Sequence, residues 1–241
     1  MIKKHKSTVV ALDWHPNNQI IATGCCDFKC RIFSAFVKDV DSATDAQLFG
    51  DLTDSFGDEL AVFDQSNGWV EAVSWSPSGM RLAFAGHDST LSVVSFPDLE
   101  GAPSVQPTKT QYLPYTAVMF TDDDTVVAAG YDCNPTVYKF DATGFMAEVK
   151  KMDKVPGEKN DEAEEKKAKE TNFDKARNLF GNRRGGGSRG AGGGKKEEAA
   201  VTKHHGCITQ LSAYSPGGEA ITQISSSGID GKLSFWSMDG I

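Results

Sequence analysis

The sequence predicts an all-β protein built from four similar units, because one short pattern occurs four times along its 241 residues. Each copy has an aspartate in a predicted tight turn and an aromatic or aliphatic residue six positions later. The four pairs are Asp27 with Phe33, Asp88 with Val94, Asp132 with Tyr138, and Asp230 with Trp236. An aromatic residue and a second turn come about a dozen residues before each aspartate, at Trp14, Trp75, Phe120 and Tyr214. Strand, turn, strand, tight turn and strand at this spacing are typical of the blades of a β-propeller.

The distances between the aspartates indicate WD40 repeats and locate two insertions. Successive aspartates are 61, 44 and 98 residues apart, whereas a WD repeat runs to about 40–45 residues. The middle spacing therefore needs no insertion, while the first surplus falls near residues 39–57 and the larger one near 145–203. We predict three repeats in residues 1–144, a charged and glycine-rich insertion at 145–203, and a last repeat at 204–241.

The predicted strands differ in how they alternate. Residues 8–14 and 69–75 alternate between two faces, as a strand in a two-faced sheet does. Residues 20–23 and 125–129 are almost continuously apolar, which suits inner strands covered on both faces by neighbouring blades.

A buried polar network is expected around two of the turn aspartates. His5 lies nine residues before Trp14, and His205 lies nine before Tyr214. In WD repeats a histidine at that offset is expected to bond the turn aspartate, together with a strand Ser or Thr and a tryptophan. The candidates are His205, Ser226, Asp230 and Trp236 in the last repeat, and His5, Thr23 and Asp27 in the first, where Phe33 replaces tryptophan. The middle repeats have Ser66 and Gln111 at that offset. Because a buried aspartate is costly unless it is hydrogen-bonded, the predicted role is structural and not catalytic.

Four blades are expected to form an open, partial propeller. Each blade buries its faces against its neighbours, so an array that stops abruptly exposes two apolar end faces. About 180 residues remain outside the long insertion, which is enough for four blades, the low end of the propeller range. We therefore predict an arc of a larger ring.

Charge and cysteine content limit the possible ligands and the cellular compartment. The net charge of −8 is uneven, because residues 145–203 hold 15 Lys or Arg and 11 Asp or Glu, which leaves −12 for the rest. An acidic body argues against nucleic-acid binding by the propeller itself. The five cysteines, and a sequence without a recognisable secretory signal or transmembrane run, predict a reducing cytoplasmic setting. The spacing of Cys25, Cys26 and Cys30 does not match a zinc site.

The insertion contains one segment with the pattern of a binding helix, residues 172–180. Asn172 can cap this helix, and Gly181 ends it before a flexible glycine-rich tether. Phe173, Ala176 and Phe180 share one helical face, with Leu179 on its flank, and Arg177 adds positive charge. A helix this short is marginal in water, so binding in a partner's groove would stabilise it. The alternative is that its two phenylalanines fold back on the propeller.

Several runs go beyond a generic WD repeat. They are residues 12–18, 26–35, 68–70, 87–90 and 132–135, and they include positions that a propeller does not require. Together they closely resemble the WD-repeat subunit of the actin-related protein 2/3 complex, a seven-bladed propeller. The chain resembles the C-terminal four blades of that family.

The resemblance implies a non-catalytic scaffold without a cofactor. Its implied partners are the other complex subunits, the actin filament and nucleation-promoting factors, with no membrane. The complex nucleates branched actin filaments in the cytoplasm. The family carries a short protruding helix in the corresponding insertion, which implies actin or partner contact for Phe173, Ala176, Arg177, Leu179 and Phe180.

Two alternatives come from other functional classes. The glycine–arginine segment at 183–190 could bind single-stranded RNA, although its arginines have no interleaved aromatic residue. The chain could also be a WD-repeat adaptor of an unrelated assembly. An enzyme is disfavoured, because the sequence has no recognisable catalytic triad, metal cluster or phosphate-binding loop.

Overall fold

A computed structural model describes residues 2–41, 48–50, 52, 56–96, 102–141, 144–153, 202–214 and 221–241. These residues form four antiparallel sheets, three with four strands and one with three. The first sheet contains β1 (Val9–Trp14), β2 (Ile20–Cys25), β3 (Cys30–Ser34) and β4 (Glu59–Phe63). The second contains β5 (Val70–Trp75), β6 (Arg81–Gly86), β7 (Thr90–Ser95) and β8 (Ser104–Lys109). The third contains β9 (Tyr115–Asp122), β10 (Thr125–Gly130), β11 (Thr136–Phe140) and β12 (Met146–Lys151), and the last contains β13 (Ile208–Tyr214), β14 (Gln223–Gly228) and β15 (Leu233–Ser237).

The sheets stack side by side as the blades of an open propeller. The first strand of each sheet packs against the first strand of the next, so that β1 contacts β5, β5 contacts β9, and β9 contacts β13. Within the described part of the chain, β13 makes no comparable set of contacts with β1. The prediction of an all-β, partial propeller is therefore confirmed.

Each pair of neighbouring sheets encloses its own apolar layer. Ile20 and Ile32 of the first sheet meet Phe84 and Val94 of the second. A second layer joins the second and third sheets, and a third joins Val127 and Val137 to Ile224 and Trp236 of the last sheet. Strands β2 and β10 are buried along their whole lengths, which confirms the prediction that their apolar runs form inner strands.

The repeated aspartate is followed in every sheet by a residue with left-handed backbone conformation. These residues are Phe28, Ser89, Cys133 and Gly231, with φ of 69°, 63°, 59° and 72°. In each turn the backbone N–H of this residue donates to the carbonyl three residues earlier, at 3.1 to 3.2 Å. Only glycine adopts this conformation without steric cost. The same turn therefore forms at all four aspartates, although the residue that takes the left-handed conformation differs.

The contacts divide the chain into two compact units, Met1–Asp153 with Thr202–Ile241, and Lys154–Val201. The four sheets belong to the first unit. Strand β12 lies just past residue 144 and pairs with β11, while the proposed boundaries at 144 and 204 remain predictions. Among the described residues, no helix is long and apolar enough to cross a membrane.

Candidate partner interface

The last sheet holds its tight turn in place through a chain of hydrogen bonds. The indole N–H of Trp236 donates to Ser226 Oγ at 2.7 Å, and His204 Nε2 lies 2.8 Å from the same oxygen. His204 Nδ1 lies 3.1 Å from Asp230 Oδ1. The bonds are consistent if the Ser226 hydroxyl donates to Nε2 and the Nδ1 proton donates to the carboxylate. The fully buried imidazole of His204 thereby ties two strands to the turn.

The histidine in this network is His204, so the prediction of His205 was wrong by one residue. The reason lies in the register of β13. In the first sheet, Ile21 lies six residues before the turn aspartate and pairs with Trp14. In the last sheet, Ile224 lies six residues before the turn aspartate and pairs with Ala213. The position nine residues before Ala213 is His204. The side chain of His205 is exposed, and only its backbone N–H reaches Asp230 Oδ2, at 2.9 Å.

The same backbone bond identifies the matching position in every sheet. In each sheet one of the N–H groups that donate to the turn aspartate comes from the segment before the first strand, and it belongs to Lys6, Asn67, Leu113 or His205. The residue before each donor is therefore His5, Ser66, Tyr112 or His204. By this bond Tyr112 takes the histidine position of the third sheet, whereas the pairing of Val126 with Phe120 points to Gln111.

Hydrogen bonding keeps the last turn aspartate ionised. The backbone N–H of His205, the His204 ring and the backbone N–H of Lys232 lower the pKa of Asp230 from its ordinary 3.8 to about 2, against the opposing effect of burial. The bonds from His204, His205 and Lys232 make Asp230 a fixed acceptor for the turn.

The predicted residues of the first sheet lie close together, but their hydrogen bonds differ from those of the last sheet. His5 Nε2 lies 3.3 Å from Thr23 Oγ1, and the His5 ring meets Phe33 edge-on at 5.2 Å. Asp27 pairs instead with the guanidinium of Arg31, at 2.9 Å. Burial alone would raise the pKa of Asp27, but its bonds to Arg31 and to the backbone N–H of Lys6 hold that pKa well below the usual range.

Three possible ligand atoms also meet in this first sheet. Atoms of His5, Cys25 and Asp27 lie within 4.8 Å of one another. However, Arg31 Nη1 lies 3.0 Å from Asp27 Oδ1 and 3.4 Å from His5 Nδ1. A permanent positive charge at that distance opposes a metal cation, and the geometry favours a structural ion pair.

Both ends of the described stack expose apolar side chains. On β1, Val10, Leu12 and Trp14 point away from the second sheet, whereas Asp13 between them accepts a hydrogen bond from the Trp75 backbone at 2.6 Å. On β15, Leu233 and Phe235 are 63% and 59% exposed on the side opposite Trp236. These two surfaces are called the first and last open faces below.

Among the described residues, the last sheet has three strands where its neighbours have four, so β15 lies at its edge. Lys203 Nζ donates to the Phe235 carbonyl at 2.6 Å and lies 4.0 Å from the centre of the Trp236 ring. Exposed strand edges and apolar faces of this kind are surfaces for pairing and packing.

The predicted binding residues of the insertion lie outside the described residues. They are Phe173, Ala176, Arg177, Leu179 and Phe180. Their contact with actin or another partner therefore remains a prediction.

Comparison with known proteins finds WD repeats in part of this chain and similar proteins along nearly all of it. The family described as WD domain, G-beta repeat matches residues 1–34 and 57–95. The chain is 35% identical over 236 residues to actin-related protein 2/3 complex subunit 1A-B of Xenopus laevis, covering 97% of this chain and 59% of the relative. It is 33% identical to subunit 1A of Arabidopsis thaliana, covering 99% and 61%. It is 32% identical to subunit 1 of Schizosaccharomyces pombe, covering 97% and 62%.

The predicted resemblance to this subunit is therefore confirmed over nearly the whole chain. The chain spans about 60% of the length of these relatives. Among solved structures, U3-55K aligns with a TM-score of 0.58 at 12% identity, covering 98% of this chain and 51% of that protein. The WD40 repeats of RRP9 align with the same score and identity. At this identity the likeness supports the fold alone.

Proposed function

We propose that this chain is a non-catalytic scaffold subunit of an actin-related protein 2/3 complex. It contains WD repeats and is similar along its length to subunit 1 of that complex. In that role it contacts actin and supports the nucleation of branched filaments in the cytoplasm. Its partners are the other subunits, the actin filament and nucleation-promoting factors.

The observation that carries this proposal is the similarity to that subunit across 97–99% of the chain. Relatives from an animal, a plant and a yeast share it at 32–35% identity. A likeness confined to turn aspartates and strand residues would indicate a WD repeat only.

The two open faces support a scaffold role. Val10, Leu12 and Trp14 at one end, and Leu233 and Phe235 at the other, expose apolar surface that further propeller blades or partner subunits would bury. Each large apolar side chain covered in this way contributes about 1.5–3 kcal/mol.

Contact with actin is assigned to the insertion. Phe173, Ala176 and Phe180 form one face of the predicted helix, Leu179 extends it, and Arg177 adds a positive charge. Aromatic residues of this kind anchor helices in grooves.

The actin contact is tested with the double variant Phe173→Ala and Phe180→Ala in the assembled complex. We expect the variant to assemble normally but to nucleate branches more slowly, because it lacks two aromatic anchors that can each contribute on the order of 2 kcal/mol. A pyrene-actin polymerisation assay measures the rate. The matched control is Phe145→Ala, which removes an exposed ring from the third sheet. An assembled double variant that branches at the control's rate would exclude this role for the helix.

A further inference from the structure

Three aromatic rings form an exposed row at one end of the second and third sheets. Trp69 directly precedes β5, His87 directly follows β6, and Tyr131 directly follows β10. The ring centres of Trp69 and His87 are 5.4 Å apart, and those of His87 and Tyr131 are 6.1 Å apart at right angles. The two outer rings remain open to solvent, Trp69 at 49% and Tyr131 at 46% exposure. This set of three residues is called the aromatic row below.

The row is fixed by the backbone beneath it. The His87 N–H donates to the Trp69 carbonyl at 2.8 Å, and the Tyr131 N–H donates to the Pro114 carbonyl at 3.3 Å. His87 Nδ1 lies 3.1 Å from Glu71 Oε1, which sets the orientation of the middle ring. The main chain that carries the three rings is thus fixed and the middle ring is oriented, which lowers the conformational entropy lost when a ligand binds.

The charge around the row is negative. Glu71 pairs with the middle ring, while Asp88 and Asp132 directly follow His87 and Tyr131 in the chain. Asp88 accepts bonds from Asn67 and Thr90 that lower its pKa despite the opposing effect of burial. Among the described contacts, Lys109 Nζ donates to the Asp88 carbonyl. Ring faces bordered by carboxylates attract cations and repel phosphate.

A contact between a cation and an aromatic ring already exists within the chain. Lys151 Nζ lies 4.0 Å from the centre of the Tyr112 ring, and Tyr112 immediately precedes the residue whose N–H bonds Asp132. A side-chain cation therefore stacks on an aromatic face near the row. Trp69 and Tyr131 present faces to solvent that carry no such cation among the described contacts.

From this geometry we propose that the aromatic row binds a short segment of a partner protein through an arginine side chain. The guanidinium stacks on the Trp69 or Tyr131 face, and Glu71 and Asp132 supply the opposite charge. Arginine suits the site because its planar guanidinium stacks on aromatic faces. This surface is built from residues of the second and third sheets, so the inference does not depend on the proposed function.

The four tryptophans allow this proposal to be tested in the full chain by NMR. Their indole N–H signals report on Trp69 in the row, on Trp14 at the first open face, and on the buried Trp75 and Trp236. The probe is the peptide acetyl-GGRGG-amide, titrated against the matched glutamate and alanine peptides. We expect the Trp69 signal alone to shift saturably with the arginine peptide and to stay in place with the other two.

Variants then assign the binding to the row. Tyr131→Ala should weaken peptide binding about threefold to fivefold, as expected for an exposed cation–π contact. Glu71→Gln should weaken it as well, while Tyr131→Phe should retain it because the ring remains. Tyr214→Ala, which removes an exposed ring from the last sheet, is the matched control. Unmoved Trp75 and Trp236 signals in each variant confirm that its core is intact.

Three outcomes would overturn the proposal. One is an equal shift of Trp69 with the glutamate or alanine peptide, which would mean that no cation is recognised. Another is a Trp14 shift equal to that of Trp69, which would indicate nonspecific contact. The last is tighter binding of an octameric uridine oligonucleotide than of the arginine peptide, which would assign the row to base stacking.

Discussion

At the scale of single residues, the two histidines of the last sheet make the sharpest comparison. They are neighbours in the chain, but only His204 is buried and bonded through both ring nitrogens. We expect His204→Ala to lower the free energy of unfolding by about 2 kcal/mol, because Ser226 and the carboxylate lose a buried partner. His205→Ala should change it by less than about 0.5 kcal/mol, as exposed substitutions usually do.

Denaturant unfolding of the two variants measures this difference. His205→Ala is the matched control, since it changes the same residue type one position away and keeps its backbone N–H on Asp230. Equal losses of stability would mean that the network adds nothing beyond burial.

The residue after each turn aspartate gives a second comparison. Phe28 and Gly231 occupy the same position of the turn, with φ of 69° and 72°. A Cβ built at Gly231 meets no atom within 4 Å, so Gly231→Ala should cost about 1 kcal/mol through backbone strain alone. Phe28→Gly should stabilise the first sheet by a smaller amount, because the relief of strain is partly offset by the lost contacts of a ring that is 44% exposed. Thermal melting of both variants checks the signs, and two changes of the same sign would contradict the strain argument.

The wrong assignment of the histidine shows which residues of the network could be predicted from the sequence. The turn aspartates, Ser226 and Trp236 were predictable because they keep fixed offsets from one another. Tyr214 looked equivalent to Trp14, yet the register of β13 puts Ala213 in that place. An aromatic residue beside a predicted turn is a strong local signal, whereas strand register depends on tertiary pairing, which a single sequence does not reveal.

At the scale of elements, strand β15 differs from its counterparts in the other sheets. Met238 donates to the Thr222 carbonyl, and Gly228 donates to the Lys232 carbonyl. In an antiparallel pair these bonds involve alternate residues, so the intervening Ser234 and Trp236 also face β14. The backbone groups of Leu233 and Phe235 therefore point to the open edge, where Lys203 reaches the Phe235 carbonyl.

Hydrogen exchange tests this arrangement in the isolated chain. We expect the amides of Leu233 and Phe235 to exchange rapidly and those of Ser234 and Trp236 to exchange slowly, because only the latter are bonded within the sheet. The corresponding strand β3 is the internal control, since β4 covers its outer edge and should protect both sets of amides. Uniform protection along β15 would show that another segment pairs with this edge.

The inner strands were the most predictable elements. The apolar runs at 20–23 and 125–129 are too continuous for a strand with one solvated face, and both strands are buried throughout. The insertion helix at 172–180 stays a prediction, because its residues lie outside those described. Its pattern rests on local spacing alone, whereas the inner strands are fixed by packing from two sides.

At the scale of the whole molecule, the four sheets of the first compact unit form an open propeller with an apolar surface at each end of the stack. The first open face carries Leu12 and Trp14, and the last carries Leu233 and Phe235. Repeat proteins gain stability from the interfaces between neighbouring units. The first unit has three such interfaces and an exposed apolar face at each end of the stack, so we expect that covering either face stabilises it.

The central claim is that this arc is a subunit of an actin-branching complex, and affinity purification of the tagged chain tests it most directly. We expect actin-related proteins to co-purify in stoichiometric amounts with the unaltered chain. They should be depleted at least tenfold with the double variant Leu12→Asp and Phe235→Asp, which places a charge on each open face. The control Val62→Asp changes an exposed residue of β4 and should purify as the unaltered chain does. Purification of the unaltered chain with a different assembly, and without actin-related proteins, would contradict the account.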